Sequence, residues 1–224
     1  MLQFKITTKR APRLSLLATI TVIAAVTFAF TAFAQVAEPN PGSDLLTPDN
    51  HVLILTDRQP QMAFAVRSHD GAEMEDGGAA LAKFGKTFQV PTVLTTVAAE
   101  TFSGPILPEN AIVFPEQVPI DRSTMTARED KGFIDEVNRH GKGKVVTDTS
   151  GGVWEEAQTM AIQRMAPQAG ATPITWMRYG LELRRDRARQ AAYADITTVM
   201  REDGGGYGPA IAYAYQMFHL HEGN

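Results

Sequence analysis

One run of residues constrains the fold more than any other: His51-Val-Leu-Ile-Leu-Thr-Asp57, an unbroken apolar stretch that ends in a carboxylate. A strand with one wet face alternates apolar and polar residues. A continuous run suits a strand buried on both faces, as in a parallel sheet covered by helices. Val90 to Thr96 repeats the pattern, with Pro91 tolerable only near the start of a strand. Val118 to Arg122 and Lys144 to Asp148 are shorter versions, and Ala171 to Trp176 is expected as a last strand. Helical stretches lie between them. Met74, Leu81, Phe84 and Phe88 form one stripe in Glu73–Phe88, although Gly77-Gly78 weakens it by ~1 kcal/mol per Gly relative to Ala. Ala127 to His140 carries Phe133, Ile134 and Val137 inward and stops at Gly141. Val153 to Met165, about Gly180 to Met200, and Pro209 to Phe218 complete the set. Strand and helix alternate, which predicts an α/β domain with a mostly parallel sheet and helices on both faces. In such sheets ligands bind beyond the carboxyl ends of the strands. Asp57, Thr96, Arg122 and Asp148 all fall at such ends.

Before this pattern begins, charge is unevenly placed. Lys5, Lys9, Arg10 and Arg13 open the chain, no acid precedes Glu38, and Leu14 to Ala34 is uncharged and ends Ala32-Phe33-Ala34. A basic start, an apolar run and a small-residue site are the parts of a secretory signal, so residues 1–34 are expected to be removed and the protein to be periplasmic or secreted. The alternative is an uncleaved anchor that holds the protein at a membrane, since a run of this length can span a bilayer. With cleavage no stable membrane insertion is expected. Residues 35–50, with Pro39, Pro41, Gly42 and Pro48, read as an irregular leader, and 51–224 as the folded domain. Twenty-one basic against 25 acidic residues gives no electrostatic reason to expect nucleic acid. The chain has no Cys, which excludes a disulfide framework, a Cys-ligated metal and a cysteine nucleophile.

Five segments, in order, carry a resemblance. They are LLTPDNHVLILTDRQPQMAFAVRS, VPTVLTTVAAETFSGPILPE, VFPEQVPIDRSTMTARED, VVTDTSGGVWEEAQTMAIQRM and TPITWMRYGLELRRDRAR. Together they resemble the isochorismatase-like cysteine hydrolases, closest to the YcaC-like branch, from about Leu45 to Phe218. The resemblance implies a three-layer, Rossmann-like α/β fold, and hydrolysis of a small amide-type substrate through a thioester-type intermediate. It also implies an Asp–basic–Cys triad, with Asp57 and Arg122 as the first two catalytic members. Gln59, Phe64, Thr96 and Phe102 would line the substrate pocket, no cofactor or metal is implied, and oligomer surfaces are typical of the family. In the family the Cys opens a helix in a G-x-x-T-x-x-C-V turn, where the helix N-terminus and the cation stabilise a thiolate.

This chain lacks that turn. Val146 passes directly into Thr147-Asp148-Thr149-Ser150-Gly151-Gly152, the end of the family's next strand, so a segment on the order of thirty residues, about one βαβ repeat, is expected to be missing near 146/147. The same residues also have plainer readings. Asp57 could cap a turn, Arg122 could simply pair with Asp121 or Asp57, and Phe64 and Phe102 could be core. Ser150 has no adjacent base and no nucleophile elbow, and His219 and His221 on a terminal tail are expected to be solvated. The Arg184, Arg185, Arg187 and Arg189 run reads as a solvated or subunit-contact helix face. Two functions follow. One is an exported member of the isochorismatase-like hydrolases, as the resemblance implies, whose nucleophile is absent and which is expected to be inactive. The other is a non-enzymatic binding or assembly protein that uses the remaining pocket for a small molecule and self-associates as a homo-oligomer.

Overall fold

The computed structural model describes residues 45–148, 152 and 154–218. The expected signal segment, the leader as far as residue 44, Ser150 and the His219–His221 tail lie outside the described residues. Contacts divide the chain after Asp44, and the fold below is that of the unit Leu45–Asn224.

Four strands form one sheet: β1 (His51–Thr56), β2 (Thr92–Val97), β3 (Ile120–Arg122) and β4 (Lys144–Thr147), in the order β3-β2-β1-β4. All three pairings are parallel, with Leu53 opposite Thr92, His51 opposite Lys144, and Thr95 opposite Ile120. The apolar run of β1 divides between the two faces because successive side chains point to opposite sides. Leu53 and Leu55 join one core cluster, and Val52 and Ile54 the other.

The larger cluster is built by three helices, α2 (Gly71–Thr87), α7 (Trp176–Arg184) and α8 (Tyr193–Asp203). Leu81, Phe84, Tyr179, Leu183, Ile196 and Met200 pack there against Leu53, Leu55 and Leu94. Asp70 starts α2 by accepting hydrogen bonds from the Ala72 and Glu73 amides, satisfying donors that the first helical turn leaves free. On the other face α4 (Lys131–Arg139) seats Phe133 on Val52, Ile54 and Val93, and Asp130 caps it. Two short helices not expected from the sequence, α1 (Pro60–Ala65) and α3 (Pro108–Ala111), each begin with proline, whose fixed φ suits that position.

Two expectations are corrected. Ala171 to Trp176 is not a strand: Thr175 caps α7, its hydroxyl accepting from the Arg178 amide, and Trp176 is already helical. Pro173 cannot donate to a ladder, and Thr175 offers a helix start that the β-branched composition concealed. Gly180 to Met200 is not one helix either, since α7 ends at Arg184 and α8 begins at Tyr193. Between them Arg185 takes a positive φ and donates to the Leu46 carbonyl, while Asp186 accepts from the Ala188 amide. Such local bonds compete with the helical ladder and win here. The expected Val153–Met165 helix is α5 (Glu155–Met160), followed by a π-helical turn over Ala161–Met165 and by α6 (Ala166–Gln168). None of its residues is buried. The C-terminal helix, α9, spans Tyr207–Phe218.

Candidate active site

The carboxyl ends of β1, β2 and β3 converge on two charged side chains. Asp57 directly follows β1, with φ near 51° and its amide donating to the Thr95 carbonyl. Ala98, directly after β2, has φ 48°. Non-glycine residues in this region carry backbone strain that the surroundings must hold in place. Arg122 ends β3 and its guanidinium donates to Asp57 Oδ2, and also to the Thr124 and Met125 carbonyls. The Arg122 side chain is 1% exposed and that of Asp57 21%.

This pair is not fully satisfied. Asp57 Oδ1, Arg122 Nε and Thr124 Oγ1 are buried atoms without a hydrogen-bond partner. Burial pushes the Asp57 carboxyl above its ordinary value, against the opposing pull of the Arg122 cation. A dry oxygen without a donor has that effect, because the charged form loses solvation on that side. The arrangement can hold a proton at Asp57 and stabilise an anion beside Arg122.

Of the four residues expected to line a pocket, Gln59 borders the small concavity at Asp57, and Phe64, Thr96 and Phe102 do not line it. Gln59 is fully buried as a strut, its amide donating to the Val97 and Gly104 carbonyls and its oxygen accepting from the Val97 amide. Thr96 donates to Asp121 Oδ1, which also accepts from the Ala99 amide, so Asp121 pairs there and not with Arg122. Phe64 and Phe102 are not core, at 78% and 72% exposed. The concavity beside Asp57 measures only about 10 Å³ and is closed in by Arg58, Gln59, Met62, Ala63, Met74 and Leu107. That is barely room for one water.

Sequence reading passed over Arg58. It is buried, pairs with Asp148 at the end of β4 (3.4 Å), and donates to Asn110 and the Met74 carbonyl. Gly78 makes room for it, since a Cβ there would lie 1.6 Å from the guanidinium. A base directly after a strand-end acid, and a Gly pair in an otherwise apolar helix, were the available signals. Beside this ion pair, between α2, β4 and α7, lies a cavity of about 320 Å³ walled by Leu81, Ile174, Trp176 and Tyr179. A larger concavity, about 650 Å³, lies at the amino ends of β2 and β3, away from Asp57 and Arg122. Parallel sheets place their chemistry at the other end, so its size carries no argument for catalysis. Among the described residues no group of His, Asp and Glu is arranged to hold a metal ion, and no helix is long and apolar enough to cross a membrane.

No family model matches the chain. A probable hydrolase, YcaC from Escherichia coli, is 28% identical over 169 residues, covering 63% of this chain and 81% of that protein. Sixty-three per cent of 224 residues is about 141, so the matched stretch is roughly 28 residues shorter here than the match is long. Two solved structures share the fold at TM-score 0.70 and 25% identity. One is YcaC from Pseudomonas aeruginosa with hexane-2,5-diol and covalent acrylamide, covering 80% of this chain and 98% of its own. The other is the E. coli YcaC protein, described as an octameric hydrolase of unknown specificity, covering 81% and 100%. A Caenorhabditis elegans MAR1 ribonuclease, 16% identical at TM-score 0.53, shares the fold alone. The chain is thus similar to the YcaC proteins and shares an α/β fold with them.

Proposed function

We propose that this chain is an exported YcaC-like scaffold that keeps the acid and the cation of a hydrolase site, has lost its nucleophile, and does not turn over the small amide-type substrates that its family would cleave. The observation that carries this reading is the Asp57–Arg122 pair, set at neighbouring strand ends in a chain without a single Cys. An acid that exchanges a proton and a cation that steadies an anion prepare a thiol for attack. With no thiol, no acyl bond to sulfur forms. The roughly 28-residue shortfall in the match to the E. coli protein supports loss of a segment, as does the abrupt passage from Val146 to Thr147. The partnerless Asp57 Oδ1 and Arg122 Nε are what a site would show once a neighbouring turn had gone. The octameric E. coli protein supports self-association of this chain as part of the same proposal.

The test is hydrolysis of a panel of primary amides by the purified full chain, with Asp57→Ala alongside. The expected result is no turnover by either protein. Turnover by the wild type that Asp57→Ala abolishes would overturn the reading.

A second reading, ligand binding without chemistry, is favoured by the cavity beside Arg58 and Asp148. Its volume of about 320 Å³, with apolar walls from Leu81, Val146, Ile174 and Trp176 facing the polar Arg58, His69, Glu73 and Asp148, suits a small amphipathic molecule. Because Trp176 lines it, a ligand there should alter tryptophan emission in a Trp154→Phe background; a panel that leaves emission unchanged counts against this reading.

A further inference from the structure

The C-terminal helix α9 carries no charged residue in the twelve from Tyr207 to Phe218. One of its faces is seated. Gly208 lies so close to α8 that a Cβ would meet the Arg201 carbonyl oxygen at 2.2 Å, and the Tyr215 hydroxyl contacts the Tyr193 hydroxyl at 3.1 Å. Ile211 is partly buried against the main core. With these positions fixed, helical periodicity turns Pro209, Ala210, Tyr213, Gln216 and Met217 to the opposite side. The structure leaves that side in solvent, with Tyr213 62% and Met217 55% exposed. A helix that is apolar all round belongs inside something.

We infer that this outer stripe of α9 is a subunit contact, and that its occupant is the same stripe of a second copy. The inference rests on the self-association proposed above and names the surface that would carry it. Two observations select a second copy over other partners. A structural relative that matches over its whole length is an octamer. The stripe also has no charge with which to recognise an acidic or basic partner, while its aromatic and Met composition is that of interface cores. It is self-complementary as well. Across a two-fold axis near Tyr213, the two Tyr213 side chains would meet, and the small Ala210 of one helix would face the Gln216–Met217 end of the other.

The absence of cysteine makes the test clean. In the full chain, a single Tyr213→Cys substitution should give a disulfide-linked dimer on mild oxidation, whereas Arg128→Cys, on an exposed turn, should not. In sedimentation velocity the wild type should be oligomeric. Tyr213→Glu/Met217→Glu should self-associate at least ~10-fold more weakly with an unchanged far-UV spectrum, and Tyr213→Phe should behave as wild type. A folded double-Glu variant that sediments with the wild type, or a Tyr213→Cys chain that does not cross-link while oligomeric, would overturn the α9 assignment and leave self-association standing. A wild type that is monomeric at every concentration would overturn self-association itself. A monomeric wild type that floats with neutral phosphatidylcholine vesicles, but not after the double-Glu change, would replace the second copy with a lipid surface.

Discussion

Gln59 shows how one side chain fixes several strand ends at once. It binds the amide and carbonyl of Val97 and the carbonyl of Gly104 from a fully buried position two residues after Asp57. In Gln59→Leu those three main-chain groups would stay buried and unpaired. A cost of about 2–4 kcal/mol is expected, read as a lower denaturant midpoint with unchanged slope. His51 makes a prediction about pH. Its Nδ1 faces the Thr47 carbonyl, an acceptor only, so Nδ1 carries the proton and Nε2 accepts from the Tyr179 hydroxyl. Burial holds the imidazole below its ordinary 6.5, aided by Lys144 and Lys142 and opposed by the Thr47 bond, while burial pushes the Tyr179 phenol up and keeps it a neutral donor. The unfolded chain therefore takes up a proton before the folded one. This contribution to stability is complete above the unfolded value and is lost as pH falls through 6.5 toward the folded value. Unfolding free energy measured between about pH 7 and pH 5 should fall, and His51→Gln should flatten that slope. Equal slopes in both proteins would remove His51 as the cause. Asp57 acts oppositely and elsewhere: its raised carboxyl favours folding at low pH, and that contribution is lost as pH rises through the ordinary 3.8 toward the folded value.

Among the elements, those that bury both faces were legible and those shaped by local hydrogen bonds were not. The β1 run and the α2 stripe sit close to where the apolar pattern puts them, because burial dominates their energies. The false strand at Ala171–Trp176 and the single helix over Gly180–Met200 failed at Thr175 and at Arg185–Asp186, where caps and turns overrode composition. At the site, Asp57 and Arg122 were readable by resemblance and do meet, whereas Gln59 and Thr96 turned out to bind main chain and Asp121. The Gly77-Gly78 pair looked like a helix defect until the Arg58 guanidinium appeared beside it. Gly78→Ala raises helix propensity by ~1 kcal/mol, yet it should lower stability, because the new methyl displaces Arg58 from Asp148. An increase in thermal midpoint on that substitution would show that Arg58 can move freely. The segment 155–168, none of whose residues is buried, should exchange its amide hydrogens well before those of β1 and α2.

At the scale of the whole molecule, the proposed loss of a strand–helix unit would strip apolar neighbours from a parallel sheet. Fully buried aliphatic side chains are worth ~1.5–3 kcal/mol each, so four or five lost neighbours rival a typical net stability of ~5–15 kcal/mol. The structure shows which apolar side chains are left open. At the sheet's edge, toward the amino end of the strands, β4 leaves Val145 largely exposed, although its register partner Val52 in β1 is buried. The cluster on that face has only four buried residues, against fifteen on the other. Trp154, Met160 and Met165 are exposed in the segment that follows. We therefore expect the chain to bind a hydrophobic dye in its native state, and to unfold below ~65 °C, the upper end for mesophile domains. If a second copy covers α9, the thermal midpoint should also rise with protein concentration, and should cease to do so in Tyr213→Glu/Met217→Glu. Dye bound by the wild type should then increase in that variant, since the same apolar surface is opened by dissociation. A monomer that unfolds cooperatively above ~65 °C without binding dye would mean that the four strands close their core unaided, and that the exposed side chains on β4 and α9 cost the fold little.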